Sequence, residues 1–480
     1  MAEQTRYKKY IIVLALSLAG FFVISISIML KGVIGEVLIQ VDNTFYTLFL
    51  HVRERIGEDA EPVDSGVVVV GIDDRTLNKL GAYNPMEYRK YHIDTLANIL
   101  KGKPAAVAFD ILFGDPHQDP EVDRQLAGTM KSGPVFSVFF GAANDRSQGT
   151  FTSFSQKKPA DAKIAFVSEN GFERMSPPVL DALTSIGLAN AYPDHDGLIR
   201  KMPVFFNVDD RLYPTIGLEI FRSVMGIKRD DILIKKRKVM AGGTTIPVDR
   251  FGRAYVNIDK SYHIREIPFY DVWKGCLPAR FFKDKVVFVA ATATALGDNK
   301  LVPLYGYIPG VLIHANLFLN LKNNNFIHEV SGTIYYFLIF LASFVYTYIY
   351  YSRSELSTIK KLMGILSKVS FATQFGEALT KLPLFVRLNQ SFRIARDRHY
   401  GLRLFFLLFA EARKRIEPLL LHLVLLYVAL FLLFYFFHLF IKPSAIFIQS
   451  FIAYIVVTEF KRIDFGGISS AASASMDVSD

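Results

Sequence analysis

The sequence predicts a membrane protein: an extracytoplasmic α/β domain with a mixed, largely parallel sheet, plus four transmembrane helices. Three observations lead there. Hydrophobic residues are 51% of the 480 and aromatics 14%, high for a purely soluble chain. Four long apolar runs stand near the two ends. Between them, Val- and Phe-rich segments bounded by turn residues surround a stripe of helical period.

The runs come first. Tyr10 to Leu30, YIIVLALSLAGFFVISISIML, carries no charge and reaches the roughly 20 residues that cross a bilayer core at helical rise. It is longer than a signal-peptide core and no A-x-A site closes it, so it reads as a retained anchor. Residues 333–351, TIYYFLIFLASFVYTYIYY, form a second run rimmed by tyrosines. Residues 418–441 and 444–460 form a third and fourth, separated by Lys442 and Pro443 as in a helical hairpin.

Basic clusters flank every run on one side: Arg6, Lys8 and Lys9; Arg353, Lys360 and Lys361; Arg413, Lys414 and Arg415; Lys461 and Arg462. The positive-inside rule then places residues 1–9, 352–416 and 461–480 in the cytoplasm and residues 31–332 outside a bacterial inner membrane. Residues 352–416 hold 13 Lys and Arg against 4 Asp and Glu, which is nearly all of the chain's net charge of +10. Its greasy face, Leu402, Phe405, Phe406 and Phe409, lies beside Arg393, Arg396, Arg398 and Arg403. Such a segment rests in lipid headgroups or docks on an acidic cytoplasmic partner. No base-reading motif accompanies the charge, so nucleic acid is not expected. The small, polar tail 461–480 reads as disordered.

The outer segment reads as one large domain. GVVVVGI (66–72) and AAVAFDILF (105–113) are strands, and Ile93, Leu96, Ala97 and Leu100 between them recur as a helical stripe, giving a βαβ unit. Segments 133–140, 163–168, 201–208, 253–259 and 285–292 supply further strands. The single Cys276 excludes an intrachain disulfide and reads as a buried, inert thiol, the alternative being an intermolecular bridge.

Carboxylates cluster where strands end: Asp73 and Asp74, Asp110, and Asp298. Ligands of parallel sheets bind outside the carboxyl ends of strands, so these are candidates, although such aspartates also cap helices and turns. The stretch YPDHDGLIRKMPVF (192–205) does not fit a calcium loop, because the twelfth position from Asp194 is Phe205 and a strand pattern follows. It reads as a turn in which Gly197 takes positive φ and Arg200 meets Asp194 and Asp196. His314 in PGVLIHAN sits on an apolar helical start. No G-x-S-x-G or H-E-x-x-H is present, and DFG at 464–466 lacks the rest of a kinase signature. No metal, cofactor or catalytic centre is expected.

The order VVVVGIDDRTLNKLG, PMEYRKYHIDTLANIL, AVAFDILFGDP, GLANAYPDHDGLIRKMPVF, LYPTIGLEIFR, KDKVVFVAATATALGDNKLVP and PGVLIHANLFLNLKNNNFI resembles the type-two CHASE domain, over roughly residues 40–330. The resemblance implies an extracytoplasmic sensory domain, and the candidate ligand-binding residues are Asp73, Asp74, Arg89, Asp110, Asp196, Arg200, Asp298 and His314. Members of that family commonly signal to a cyclase, a kinase or a diguanylate cyclase, and often have a Trp where Asn84 precedes Pro85 here. No effector domain is recognisable, so the expected protein is a sensor acting through a separate cytoplasmic partner. The alternative is a non-catalytic scaffold or subunit of an envelope membrane complex. Homo-oligomers or other membrane subunits are expected neighbours in either case.

Overall fold

The valine-rich segments do form the centre of the molecule. The structure, a computed structural model, describes residues 33–56, 62–142, 151–159, 164–330 apart from 174, 236, 260 and 261, 332–351 and 423–451, with positions 15, 18, 22 and 454 besides. These divide into two units, Thr47–Glu329 and Met1–Tyr46 with Val330–Asp480.

In chain order the elements that matter are α1 (Val33–Ile56), β1 (Val63–Ile72), α2 (Asp74–Leu80), α3 (Arg89–Leu100), β2 (Ala106–Asp110), α4 (Pro120–Met130), β3 (Val135–Phe139) and β4 (Ser185–Leu188). They continue with α5 (Ile216–Val224), β5 (Tyr262–Pro268), α6 (Phe269–Trp273), β6 (Val286–Ala291), β7 (Asn299–Val302), β8 (Gly306–Pro309), α7 (Gly310–Asn323) and α8 (Thr333–Tyr351). Six strands make one sheet in the order β5-β1-β6-β2-β3-β4, and every neighbouring pair is parallel. β6 comes late in the chain and inserts between β1 and β2.

Side chains of a strand alternate between faces, and here both faces are apolar. Val67, Val69, Ala108, Val138 and Phe288 pack on one side with Ile216 and Ile220 of α5 and Val311 and Leu317 of α7. Val68, Val70, Phe109, Phe139 and Val287 pack on the other with Leu96 and Ile99 of α3 and Leu126 and Met130 of α4. The result is helices, sheet, helices. Close approach fixes one seam: a Cβ on Gly187 of β4 would lie 2.5 Å from the backbone of Ile216.

Several expectations need correction. The buried face of α3 is Arg89, His92, Thr95, Leu96 and Ile99, so the stripe is rotated from the expected one and carries polar groups. Segment 201–208 divides at Val204, whose N–H donates to Gly252 O, into a strand pairing with 253–255 and another in a four-stranded antiparallel-and-parallel sheet. Of the described residues 164–168 only Val167–Ser168 is strand. Both edges of the main sheet were missed, because SIGL is four residues long and YHIREIP is a half-exposed edge with charges.

Arg89 and Asp123 form a buried ion pair. Asp123 also accepts from the Ser176 hydroxyl (2.9 Å) and His117 N–H (3.1 Å), and Arg89 donates to Asp115 O. Next to them His92 is fully buried among the rings of Phe109, Phe113 and Phe269, with neither ring nitrogen partnered among the described residues. Burial first, then the Arg89 charge, pulls its pKa down to about 3.

In the other unit, Asp42 accepts from Ser444 N–H (2.9 Å) and the Tyr335 hydroxyl donates to Lys442 O (3.2 Å). Tyr46 lies edge-on to Phe434 and Phe440. The four transmembrane helices expected from the sequence are not supported: among the described residues no helix is long and apolar enough to cross a membrane. Described helix in the third run covers only 423–437 and ends at His438, which has φ of +51°. The described part is about 22 Å of helix. α8 has 19 residues diluted by six tyrosines. The first run lies outside the described residues except at 15, 18 and 22, and so do the basic segment 352–416 and the tail 461–480.

Two outcomes are expected. Gly187→Ala should destabilise the domain by about 1–3 kcal/mol through overpacking against Ile216, read by denaturant unfolding. Because the fold holds His92 neutral, its contribution is complete above the ordinary histidine pKa of about 6.5 and is lost as pH falls from there toward 3. His92→Leu should therefore flatten the loss of thermal stability between pH 6.5 and 4; an unchanged slope would refute the assignment.

Candidate functional site

The parallel sheet places all its carboxyl ends on one edge, and the order places β6 and β2 side by side there. Asp110 closes β2 opposite Ala290 of β6. The chain after β6 turns through Gly297 in the left-handed region, reaches Asp298, forms the β7–β8 hairpin and enters α7. Gly310 N–H donates to Asp298 O at 2.8 Å. The Asp298 carboxylate lies against the helix start: a Cβ on Gly310 would meet its Oδ2 at 2.8 Å. Lys300 pairs with Asp298 at 3.1 Å.

Asp110 is half-buried on this edge. Burial first, then the nearby Asp298 charge, pushes its pKa up to about 7, against the pull of Lys300. His314 stands one helical turn after Gly310, is 3% exposed, and hydrogen-bonds to the Ala189 backbone just beyond β4. Burial draws its pKa down to about 4. Farther along the edge, Asn190 Oδ1 accepts from Gly141 N–H at 2.9 Å. Glu169 packs on Gly141, and burial raises its pKa. Glu169 Oε1 and Asn207 Oδ1 are buried without a partner among the described residues.

The structure thus sets Asp298 against the first residue of the helix that carries His314, with its charge reaching Asp110, and leaves the other expected residues elsewhere. Asp73 caps α2, accepting from Thr76 N–H (2.8 Å) and the Thr76 hydroxyl (2.6 Å). Asp74 is exposed in the first turn of α2. Arg89 is consumed by Asp123 in the core. Arg200, 3% exposed, donates twice to Asp196 (2.8 and 2.7 Å) and once to Asp194 (3.1 Å), around Gly197 at φ of +80°. Those carboxylates are held by the guanidinium, and the Asp196 pKa is lowered mainly by its hydrogen bonds to Arg200. Among the described residues no group of three or more His, Cys, Asp or Glu side chains is placed to hold a metal ion. Lys300, Gly310, Glu169 and Asn190 were missed; only the Pro-Gly entry to α7 was visible as a signal, since Pro309 precedes the helix and Gly310 opens it.

Chemically, this edge carries the carboxylates of Asp110 and Asp298, with Lys300 paired to Asp298. Asp110 favours its protonated form in the fold, so its contribution is present below about pH 3.8 and is lost as pH rises toward 7. Asp110→Asn removes that titration. The variant should melt higher than wild type at pH 8, by roughly 1–3 kcal/mol of stability, and the gap should close below pH 4. A gap that persists in acid would show that Asp110 does not carry a proton preference.

No curated protein and no solved structure matches the chain. A family model, the CHASE2 domain, matches residues 18–348. That match takes in the whole parallel sheet, the hairpin and α7, and by it this chain belongs to the CHASE2 family of extracellular-type sensory domains.

Proposed function

We propose that the protein senses a small molecule or envelope condition outside the cytoplasm of a bacterial cell, at the inner membrane, and signals through a separate cytoplasmic partner. The observation that carries this reading is α7. Its amino end abuts Asp298 and carries His314, and its 14 residues make a rod of about 21 Å leading away from the sheet's carboxyl edge.

The far end of α7 is fastened to the segment that leaves the domain. Asn320 Oδ1 accepts from Asn257 N–H (2.9 Å) while its amide donates to Asn257 O (2.8 Å). Arg53 of α1 donates to Asn257 Oδ1 (2.8 Å), and Asn257 donates to Asn325 Oδ1 (3.1 Å). Lys201, next to the Arg200 turn, pairs with Glu329 at 2.7 Å. A ligand that favours one position of the helix start would bias both segments entering and leaving the domain, since a signal needs only differential affinity for two states. Ile334, Phe337, Leu341 and Val345 make an exposed apolar stripe on α8, which supports contact with lipid or another apolar partner.

The test is isolation of the full chain from native membranes, as wild type and as Asp298→Asn, with unfolding measured in parallel. Co-isolation of a kinase or cyclase whose activity changes several-fold in the variant is the expected result. A stoichiometric envelope assembly that is unaffected by a normally folded variant would instead support a scaffold and reject sensing.

A further inference from the structure

One face of the domain is strongly basic, and the partner assigned to it here rests on the membrane location proposed above. Strands Leu233–Lys235, Lys238–Ala241 and Thr244–Pro247 form an antiparallel meander. Side chains alternate along a strand, so Ile234, Val239, Ala241 and Ile246 enter the core while Leu233, Lys235 and Lys238 are exposed. The first hairpin turn reads KKRK (235–238), and the register sets Lys235 directly opposite Lys238. Like charges so placed weaken a strand pair, so the fold gains nothing from them. From Leu233 to Arg253 the chain has six Lys and Arg and one acid, Asp249.

That acid builds a turn. Its carboxylate accepts from Phe251 N–H (2.9 Å) and Arg253 N–H (3.0 Å) and pairs with the Arg253 guanidinium (3.0 Å), while Gly252 takes φ of +73°. The turn presents Phe251, 37% exposed, with Arg250 (4.6 Å) and Arg253 (5.4 Å) over its ring. Val248 N–H donates to Arg237 O (3.0 Å), so this turn and the KKRK hairpin are neighbours. Lys201 bridges Asp249 (3.6 Å) and Glu329 (2.7 Å), which ties the turn to the last residue of the unit. Three residues separate Glu329 from α8 and its exposed apolar stripe.

Lysines and arginines beside an exposed aromatic ring suit a surface that rests in anionic headgroups, the cations on phosphates and the ring at the acyl boundary. We infer that the hairpin at 235–238 and the turn at 249–253 form one docking face for an anionic phospholipid bilayer. Lys235, Lys238 and Arg250 meet headgroup phosphates, and Phe251 enters the interface between its arginines. The phosphates offset the opposition of Lys235 and Lys238. A soluble polyanion would answer the charges but neither the exposed ring nor the apolar helix that follows three residues on.

The test is hydrogen exchange of the full chain reconstituted in phosphatidylcholine vesicles and in an equimolar mixture with phosphatidylglycerol. Cys276 is exposed, not buried as the sequence suggests, so samples stay reduced. Amides of 233–253 should exchange roughly tenfold more slowly in the anionic vesicles, and high salt should remove the difference. The triple variant Lys235→Gln, Arg237→Gln, Lys238→Gln should lose most of that protection and Phe251→Ser part of it; all four side chains are exposed, and thermal unfolding checks that the fold is kept. Equal exchange in the two vesicles, or protection that survives in a folded triple variant, would overturn the inference. Protection by polyglutamate but not by anionic vesicles would give the face to an acidic protein instead. If the chain floats with neither vesicle, the membrane location fails and this face with it; if it floats with both and 233–253 exchanges alike, only the docking face fails.

Discussion

A sheet whose strands all run one way must be covered on both faces, and this constraint organises the domain. Each parallel neighbour requires a crossover, and each crossover leaves a helix on one face or the other. The valines of β1 alternate between the two cores, Val67 and Val69 toward α5 and α7, Val68 and Val70 toward α3 and α4. With six strands parallel, all carboxyl ends share an edge. Insertion of β6 between β1 and β2 then brings a loop from the end of the chain segment, Asp298 with the β7–β8 hairpin, beside Asp110 from its beginning.

The polar groups in this fold divide into two kinds. One kind is saturated: Glu219, fully buried, accepts from Ser185, Arg222 and Arg229, and Arg200 locks Asp194 and Asp196. Removing one partner of such a cluster strands the other charge, so these groups hold the fold rather than a ligand. The second kind keeps a buried atom without a partner among the described residues: His314 Nδ1, Glu169 Oε1 and Asn207 Oδ1 belong to it. His92 is unmatched as well, but rings enclose it on the far side of α3 and its neutrality is a matter of stability.

Much of the fold was legible. Runs such as VVVV and AVAFD announce strands buried on both sides, and the family motifs in order announce the domain. The edge strands were not legible, because an edge is half-solvated and its residues need no apolar pattern; Tyr262–Pro268 alternates poorly and carries Arg265 and Glu266. The transmembrane expectation rested on hydropathy and on the basic residues flanking each run. Hydropathy counts residues in a row, whereas crossing a bilayer needs an unbroken helix, and His438 in the left-handed region ends one.

Composition, strand-like valine runs, the aspartates at strand ends and the Pro-Gly entry to α7 were written in the sequence by itself, since each depends on local periodicity or backbone preference. Which aspartate caps a helix, which meets an arginine and which is left facing another carboxylate was decided only by the tertiary structure. The physical reason is that a carboxylate's role is set by the charges and donors that other strands bring within a few ångströms, and Asp110 and Asp298 are brought together by a sheet order that residues between them do not announce.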